Sequence, residues 1–345
     1  MLSYIRGTDR IFDLSISSIV NSCIVIFCNI LFLVVLGWGL KGYFISNIIG
    51  SFTQCIYLLV RTRMLNNINI FHCDHTLKKE MITYSRPMVA NAIGWWINNA
   101  SDRYVIIYFL GMSANGIYSV AGKIPAILNI LQTIFAQAWS LSVVKEFDAE
   151  DSNLFFTNTY VIYNCFMTIG CSGLILFDKI VSKFLYAKDF YVAWRYVPFL
   201  TIAIVFGSLS GYIGGFFSAT KNTKIYGQST IWGAIANIVL NLILVPLFGA
   251  IGAAIATCIS YFVIWVFRLF HSKKLIKLRV NFKKNCISYV LLLIQTFLLF
   301  IIDGIWLYCL ETFLFFIILF IHGSQLLLIL KIKKEQTSDW KVIFK

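Results

Sequence analysis

The chain has 345 residues, 59% of them hydrophobic and only 13% charged, with a mean hydropathy of +0.80. Soluble domains are nearer half apolar and a quarter charged, so a water-soluble globule is excluded and a polytopic membrane protein is expected. The net charge of +14 then reads as a signal of orientation carried by the loops, and nucleic acid is not an expected partner.

A window of about 20 apolar residues crosses about 30 Å of hydrocarbon. It gives ten spans, near 14–36, 43–60, 83–110, 114–143, 154–177, 194–218, 227–248, 250–269, 286–303 and 309–330. The expected fold class is therefore all-α, with about ten transmembrane helices. Arg6, Asp9, Arg10 and Asp13 interrupt the start, and the first apolar run is too long for the core of a secretory signal, so no cleavable leader is expected. Basic residues gather between spans two and three (Arg61, Arg63, Lys78, Lys79), after span eight (Arg268, Lys273, Lys274, Lys277, Arg279, Lys283, Lys284) and after span ten (Lys331, Lys333, Lys334, Lys341, Lys345). All three segments fall on one side, which the positive-inside rule makes the cytoplasm, with both termini there. The acidic segment 145–153 falls on that side too, and acidic residues weigh little in orientation. The connection 178–193 then faces outside, and its mixed aromatic and charged pattern suits an interfacial segment.

Span three carries polar residues that hydrocarbon penalises by about 2.5 to 3.5 kcal/mol for each ionised side chain. Asn91, Trp95, Asn98 or Asn99, and Asp102 recur at helical spacing on one face, with Arg103 beside it. A helix lining a water-filled pathway has this pattern, while Ile97, Ala100, Val105, Ile106 and Ile107 face lipid or neighbouring helices. The turn into span four, near Ser113, is ten residues from both Arg103 and Lys123, which sets the two at similar depth, about 15 Å from the turn. Lys123 then meets Asp102 or stands beside Arg103, and the pocket is net positive.

Blander readings stand beside these. Asp102 and Arg103 also fit a structural ion pair between spans three and four, and Lys123 fits a side chain reaching back to the outer interface. Arg86, just before Pro87, fits an interfacial anchor or a substrate contact near the cytoplasmic side. Trp95 and Trp96 serve packing or sugar stacking, and Asn237 and Asn241 serve helix-to-helix hydrogen bonding or substrate contact. Pro125 and Pro246 mark bends. Asp303 and Glu311 bracket the last external turn as solvated groups. The nine cysteines lack C-x-x-C spacing and read as small buried hydrophobes. His72, Cys73 and His75 form only a short cluster, and no metal site is expected there. No phosphate-binding glycine loop is present, so ATP hydrolysis, a cofactor and an enzymatic activity are not expected.

Span one continues as NILFLVVLGWGLKGYFIS and span seven as NLILVPLFGAIGAAIATC. In each an Asn (Asn29, Asn241) stands eight residues before a Gly (Gly37, Gly249), which suggests a duplicated unit around a central pathway. The run 235–257 (IANIVLNLILVPLFGAIGAAIAT) and the stretch 84–125 (YSRPMVANAIGWWINNASDRYVIIYFLGMSANGIYSVAGKIP) resemble the polysaccharide and O-antigen lipid-linked-oligosaccharide flippases of the multidrug/oligosaccharidyl-lipid/polysaccharide exporter superfamily. The resemblance covers nearly the whole chain and implies a two-lobed exporter fold with an incomplete first lobe, its first four helices lacking. On that template 1–60 is the remnant of the first lobe, 61–81 the cytoplasmic inter-lobe linker, and 82–270 the second six-helix lobe. A basic loop follows at 271–285, then the added helix pair and basic tail at 286–345.

The resemblance implies translocation of an undecaprenyl-diphosphate-linked oligosaccharide across the bacterial inner membrane, for O-antigen, capsule or exopolysaccharide synthesis. The polymerase and the chain-length regulator of that pathway are the implied protein partners. Charge-assisted bonds from Arg103 and Lys123 suit a diphosphate. The expected cavity set is Asn91, Trp95, Asn98, Asn99, Asp102, Arg103 and Lys123, with Arg86 toward the cytoplasmic end. The competing readings are a cation-coupled drug exporter of the same superfamily, which calls for an anionic cavity, and a membrane-embedded O-antigen polymerase or acyltransferase, which calls for a large external loop with His or Arg.

Overall fold

A computed structural model describes residues 5, 8, 10–62, 74–148, 150–151 and 154–323. Ten helices among them are long and apolar enough to cross a membrane. The chain divides into two compact units, Met1–Lys78 and Lys79–Lys345. Arg63, His72 and Cys73, most of the expected linker 61–81, and the basic tail beyond 323 lie outside the described residues.

In the first unit, α1 (Ile11–Asn29) runs into a π-helical stretch, Ile30–Val35, and turns back into α2 (Gly39–Thr62). The reversal needs left-handed backbone at Gly37 (φ 61) and Gly39 (φ 55), a conformation that costs glycine no steric penalty. The helices touch at Gly50, where an added Cβ would come within 2.3 Å of Val25 Cγ2. Gln54 donates to the Ser17 hydroxyl at 3.2 Å, and Arg61 Nε lies 3.3 Å from Asp13.

In the second unit, α3 (His75–Ala121) is two helices in sequence, broken at Gly111 (φ 85, ψ 178). The chain reverses there, because the Tyr118 hydroxyl reaches Asp102 at 2.7 Å although 16 residues separate them; the same separation along a straight helix spans about 24 Å. The turn expected near Ser113 thus falls at Gly111, where positive φ is admissible. The expected continuous span 114–143 is interrupted. Its first limb ends at Ala121, residues 122–125 form a turn, and Pro125, which has no N–H to donate, precedes α4 (Ala126–Lys145).

There follow α5 (Phe155–Leu176), the short α6 (Asp178–Leu185), a 3-10 segment Lys188–Arg195, α7 (Val197–Ala219), α8 (Thr223–Phe248), α9 (Ala250–Ser272), α10 (Phe282–Ile301) and α11 (Ile305–Gly323). Helix α7 is the most enclosed span and packs on α4, α5 and α9. Small residues bring α8 and α9 together: a Cβ at Gly233 would strike Ile264, and one at Gly252 would strike the Leu244 carbonyl. An aromatic core formed by Trp139, Phe156, Tyr160, Tyr212 and Phe216 joins α4, α5 and α7. Its Trp139 and Tyr212 rings stack at 4.1 Å.

Between α5 and α7, α6 exposes Lys183, Phe184 (87%) and Leu185, a mixed face of the kind expected for an interfacial segment. At the opposite end of the same spans, the acidic loop before α5 meets the basic loop after α9. Lys277 Nζ lies 2.8 Å from Glu150, and the Arg279 N–H donates to Thr157. Asp151 caps α5 by accepting from the Phe156 and Thr157 backbone N–H groups. Both loops therefore lie at one end, as the span count requires.

Three expectations are corrected. Arg268 is not a loop cation: α9 runs on to Ser272 and buries it completely. Glu311 is not solvated, because it lies on the packed face of α11 with Leu307, Ile318 and His322. Asp303, by contrast, is exposed (93%) as expected of a solvated group, and it pairs with Lys179 Nζ at 2.7 Å, which ties the α10–α11 turn to α6. Pro246 sits in the last turn of α8, which stays helical to Phe248.

Candidate functional site

The polar residues of the first limb of α3 divide according to helical rotation. Asn91, Gly94, Asn98, Asp102 and Ile106 recur every three or four residues and are buried against α8 and α9. Gly94 makes the close approach possible, since a Cβ there would lie 2.8 Å from Thr230 Cγ2. Trp95 and Asn99 flank this stripe and line a cavity, while Trp96 and Arg103, farther round, are exposed.

Asp102 is the hub. Its Oδ1 accepts from Asn241 Nδ2 at 2.8 Å and Asn237 Nδ2 at 3.3 Å; its Oδ2 accepts from Thr257 Oγ1 at 2.5 Å and Tyr118 Oη at 2.7 Å. All four donors are neutral. Ser101 adds a short hydrogen bond to Asn237. The expected pairing with Lys123 does not occur: Lys123 is exposed in the turn after Ala121, and Tyr118, one turn earlier, occupies the place beside the carboxylate. Arg103 is exposed, so it does not form the structural ion pair with Asp102 either. A buried carboxylate with only neutral donors is a net negative charge that its surroundings must compensate. Two acceptors near it, Asn98 Oδ1 one turn back along α3 and Asn241 Oδ1, are buried with no hydrogen-bond partner among the described residues. Acceptors left over beside a carboxylate fit a cation.

About 16 Å back along α3, Asn91 joins a second buried centre. Arg268 donates from Nε to Ser229 Oγ (2.9 Å), from Nη1 to the Ser210 carbonyl (2.8 Å), and from Nη2 to Thr230 Oγ1 (2.6 Å) and Asn91 Oδ1 (3.1 Å). Its guanidinium lies 4.3 Å from the centre of the Tyr226 ring. No carboxylate contacts it among the described residues. Arg268 and Asp102 are therefore buried apart from one another, each surrounded by neutral dipoles. Arg86 is exposed near the start of α3.

Sequence reasoning found Asn91, Asn98 and Asp102 but missed Tyr118, Thr257 and Arg268. The signal for Arg268 was available, because it stands inside the apolar run WVFRLF and not after it. Outside the spans, burial pushes the Asp178 carboxyl well above the ordinary carboxylate range; the Ser182 hydroxyl at 3.1 Å and the neighbouring Lys179 oppose the shift without cancelling it.

Polar residues thus join α3, α8 and α9 around one buried carboxylate, in a polytopic helical fold that resembles exporter folds. Comparison with solved structures agrees. The lipid II flippase MurJ in an inward closed conformation superposes with a TM-score of 0.56 at 17% identity, over 88% of this chain and 65% of that one. A MATE structure in the bent conformation gives 0.65 at 15% identity, over 78% and 63%. Residues 9–146 match the family described as "Polysaccharide biosynthesis protein". The chain is 24% identical over 214 residues to the probable low-salt glycan biosynthesis flippase Agl15 of Haloferax volcanii, covering 60% of this chain and 44% of that protein. It is 22% identical over 219 residues to an uncharacterized membrane protein of Methanocaldococcus jannaschii, covering 58% and 42%. The chain thus spans about half the length of the curated relatives it matches. These findings bear out the resemblance to polysaccharide flippases of the multidrug/oligosaccharidyl-lipid/polysaccharide exporter superfamily.

Proposed function

We propose that the protein moves an undecaprenyl-diphosphate-linked oligosaccharide from the cytoplasmic to the outer leaflet of a bacterial inner membrane, supplying O-antigen, capsule or exopolysaccharide synthesis. The observation that carries this reading is Arg103: an exposed cation inside a span, eight residues or about 12 Å from the turn at Gly111. A charge at that depth needs water or an anionic partner, and a vestibule that receives a diphosphate supplies both. Lys123 is exposed in the turn 122–125 that follows the next limb and adds a second cation. Asn99 and Trp95 continue the polar wall. Asp102, with its leftover amide acceptors, takes a proton or a sodium ion as the coupling species, and Asn91 and Asn98 hold α3 in register behind it. The same exposed cations disfavour the drug-exporter reading, because a cationic drug is repelled where a diphosphate is attracted.

The test is translocation by the full-length protein in liposomes, read as accessibility of the lipid-linked sugar to an added glycosidase. Arg103→Ala is expected to lower the rate at least tenfold and Arg103→Lys to retain part of it, because lysine keeps the charge and loses the fork. Wild-type rates in the Ala variant remove Arg103 from the mechanism.

A further inference from the structure

The cavity beside Asp102 has chemistry of its own. It measures about 330 Å³, at the small end of the ~300–1,000 Å³ range of small-ligand sites. Its walls come from α3, α4, α7 and α9, all within the second unit, and none of its lining residues carries a charge. A diphosphate has no counter-ion there. Two aromatic rings form one wall: Trp95 meets Tyr261 edge to face at 5.0 Å, and the Tyr261 hydroxyl donates to Asn99 Oδ1 at 3.1 Å. The rings are held firmly. Arg268 lies 6.0 Å from the centre of the Trp95 ring, and Gly207 leaves room for Tyr261, since a Cβ there would come within 2.9 Å of Cδ2. Also lining the cavity are Asn129 and Gln132, whose side-chain amides make no hydrogen bond among the described residues.

We infer that this cavity is a subsite for a neutral sugar unit of the transported lipid, set apart from the diphosphate contacts at Arg103 and Lys123; the inference rests on the flippase reading above. A pyranose has an apolar C–H face, which an aromatic ring covers, and a rim of hydroxyls, which amides both donate to and accept from. Free amides and fixed rings lining one cavity match that division. The pocket also reports to the charged hub. Thr257 lines the cavity and spends its only hydroxyl proton on Asp102, so toward a ligand it acts as an acceptor. A sugar hydroxyl donating to Thr257 therefore contacts the group that fixes Asp102.

The experiment compares two lipids with the full-length protein in liposomes: undecaprenyl diphosphate bearing one N-acetylglucosamine, and undecaprenyl diphosphate with no sugar. For Asn129→Leu, Gln132→Leu and Ala203→Phe, which remove the amides or fill the cavity, the ratio of glycosylated to bare translocation is expected to fall about tenfold below the wild-type ratio. Gel filtration of each variant confirms the fold. A ratio unchanged in all three overturns the subsite while leaving the flippase reading in place. Failure of the wild type to move either lipid overturns that reading, and the subsite with it.

Discussion

Asp102→Asn and Asp102→Ala separate the charge of the carboxylate from its shape. The side chain accepts four hydrogen bonds, two at each oxygen. Bonds to a charged acceptor contribute about 1.5–3 kcal/mol and neutral ones about 0.5–1.5, so the Asn variant loses about 1 kcal/mol at each, or about 4 kcal/mol. Against this, Asn removes a buried ion whose desolvation costs several kcal/mol. The hydroxyls of Tyr118 and Thr257 accept as well as donate, so they accommodate an amide NH2 in place of Oδ2. The net change is within about 2 kcal/mol. Ala removes the same ion but strands the Tyr118 and Thr257 hydroxyl donors at about 1–3 kcal/mol each, while the two amides keep acceptors at Asn237, Thr257 and Ser260, so it falls at least about 2 kcal/mol below Asn. Thermal unfolding in detergent, followed by size-exclusion chromatography, should place Asn close to the wild type and Ala well below it. Translocation should stop in both, because neither compensates a cation. An Asn variant that unfolds as early as Ala refutes the reasoning on shape, and an Asn variant with wild-type transport refutes the reasoning on charge.

Arg268→Lys keeps the charge but offers three donors where the guanidinium places four bonds to Ser229, Ser210, Thr230 and Asn91, and it forfeits the flat face over Tyr226. Destabilisation of about 2 kcal/mol or more is expected, and an unchanged melting temperature contradicts it. Asp178 tests linkage: its folded pKa is raised, so the folded protein holds a proton that the unfolded chain releases, and stability falls as pH rises above the ordinary carboxylate value near 3.8. Asp178→Asn should flatten that slope and match or exceed the wild-type melting temperature at pH 7; a slope preserved in the variant assigns it to another group. Exchanging the charges of Asp102 and Lys123 should not restore the single variants, because Tyr118 and not Lys123 stands at the carboxylate; rescue shows that the two side chains meet.

The spans were legible because hydrocarbon imposes a length on every one of them, and length survives in sequence without any knowledge of packing. Glycine positions were legible as turns too: Gly37 (φ 61) and Gly249 (φ 69), each following an apolar run, both adopt positive φ. Partners were less legible. A helical period identifies a face but leaves its neighbour open, and Lys123 was matched to Asp102 on depth alone. The break at 122–125 takes Lys123 out of the helix, and Tyr118, seven residues past Gly111, is harder to pick out because tyrosine reads as an interfacial residue. Glu311 escaped for a related reason. Its position next to a turn looks solvated, while its burial depends on α10, which no local pattern connects to it.

Asp102 and Arg103 are neighbours in sequence with opposite surroundings, and the helix explains why. One residue advances about 100° around the axis, so a single step carries the chain from the seam with α8 and α9 to the open side. Asp102 is bound through Asn237, Asn241 and Thr257 to both of those helices, whereas Arg103 has no partner among the described residues. On the proposed function, a cation at Asp102 tightens the seam and a diphosphate at Arg103 pulls on the other side of the same rigid rod. Coupling between ion and substrate then needs no chain of intermediaries through the lobe, only a helix whose position both ligands bias. The buried Arg268 centre holds the same helix about three turns earlier, through Asn91.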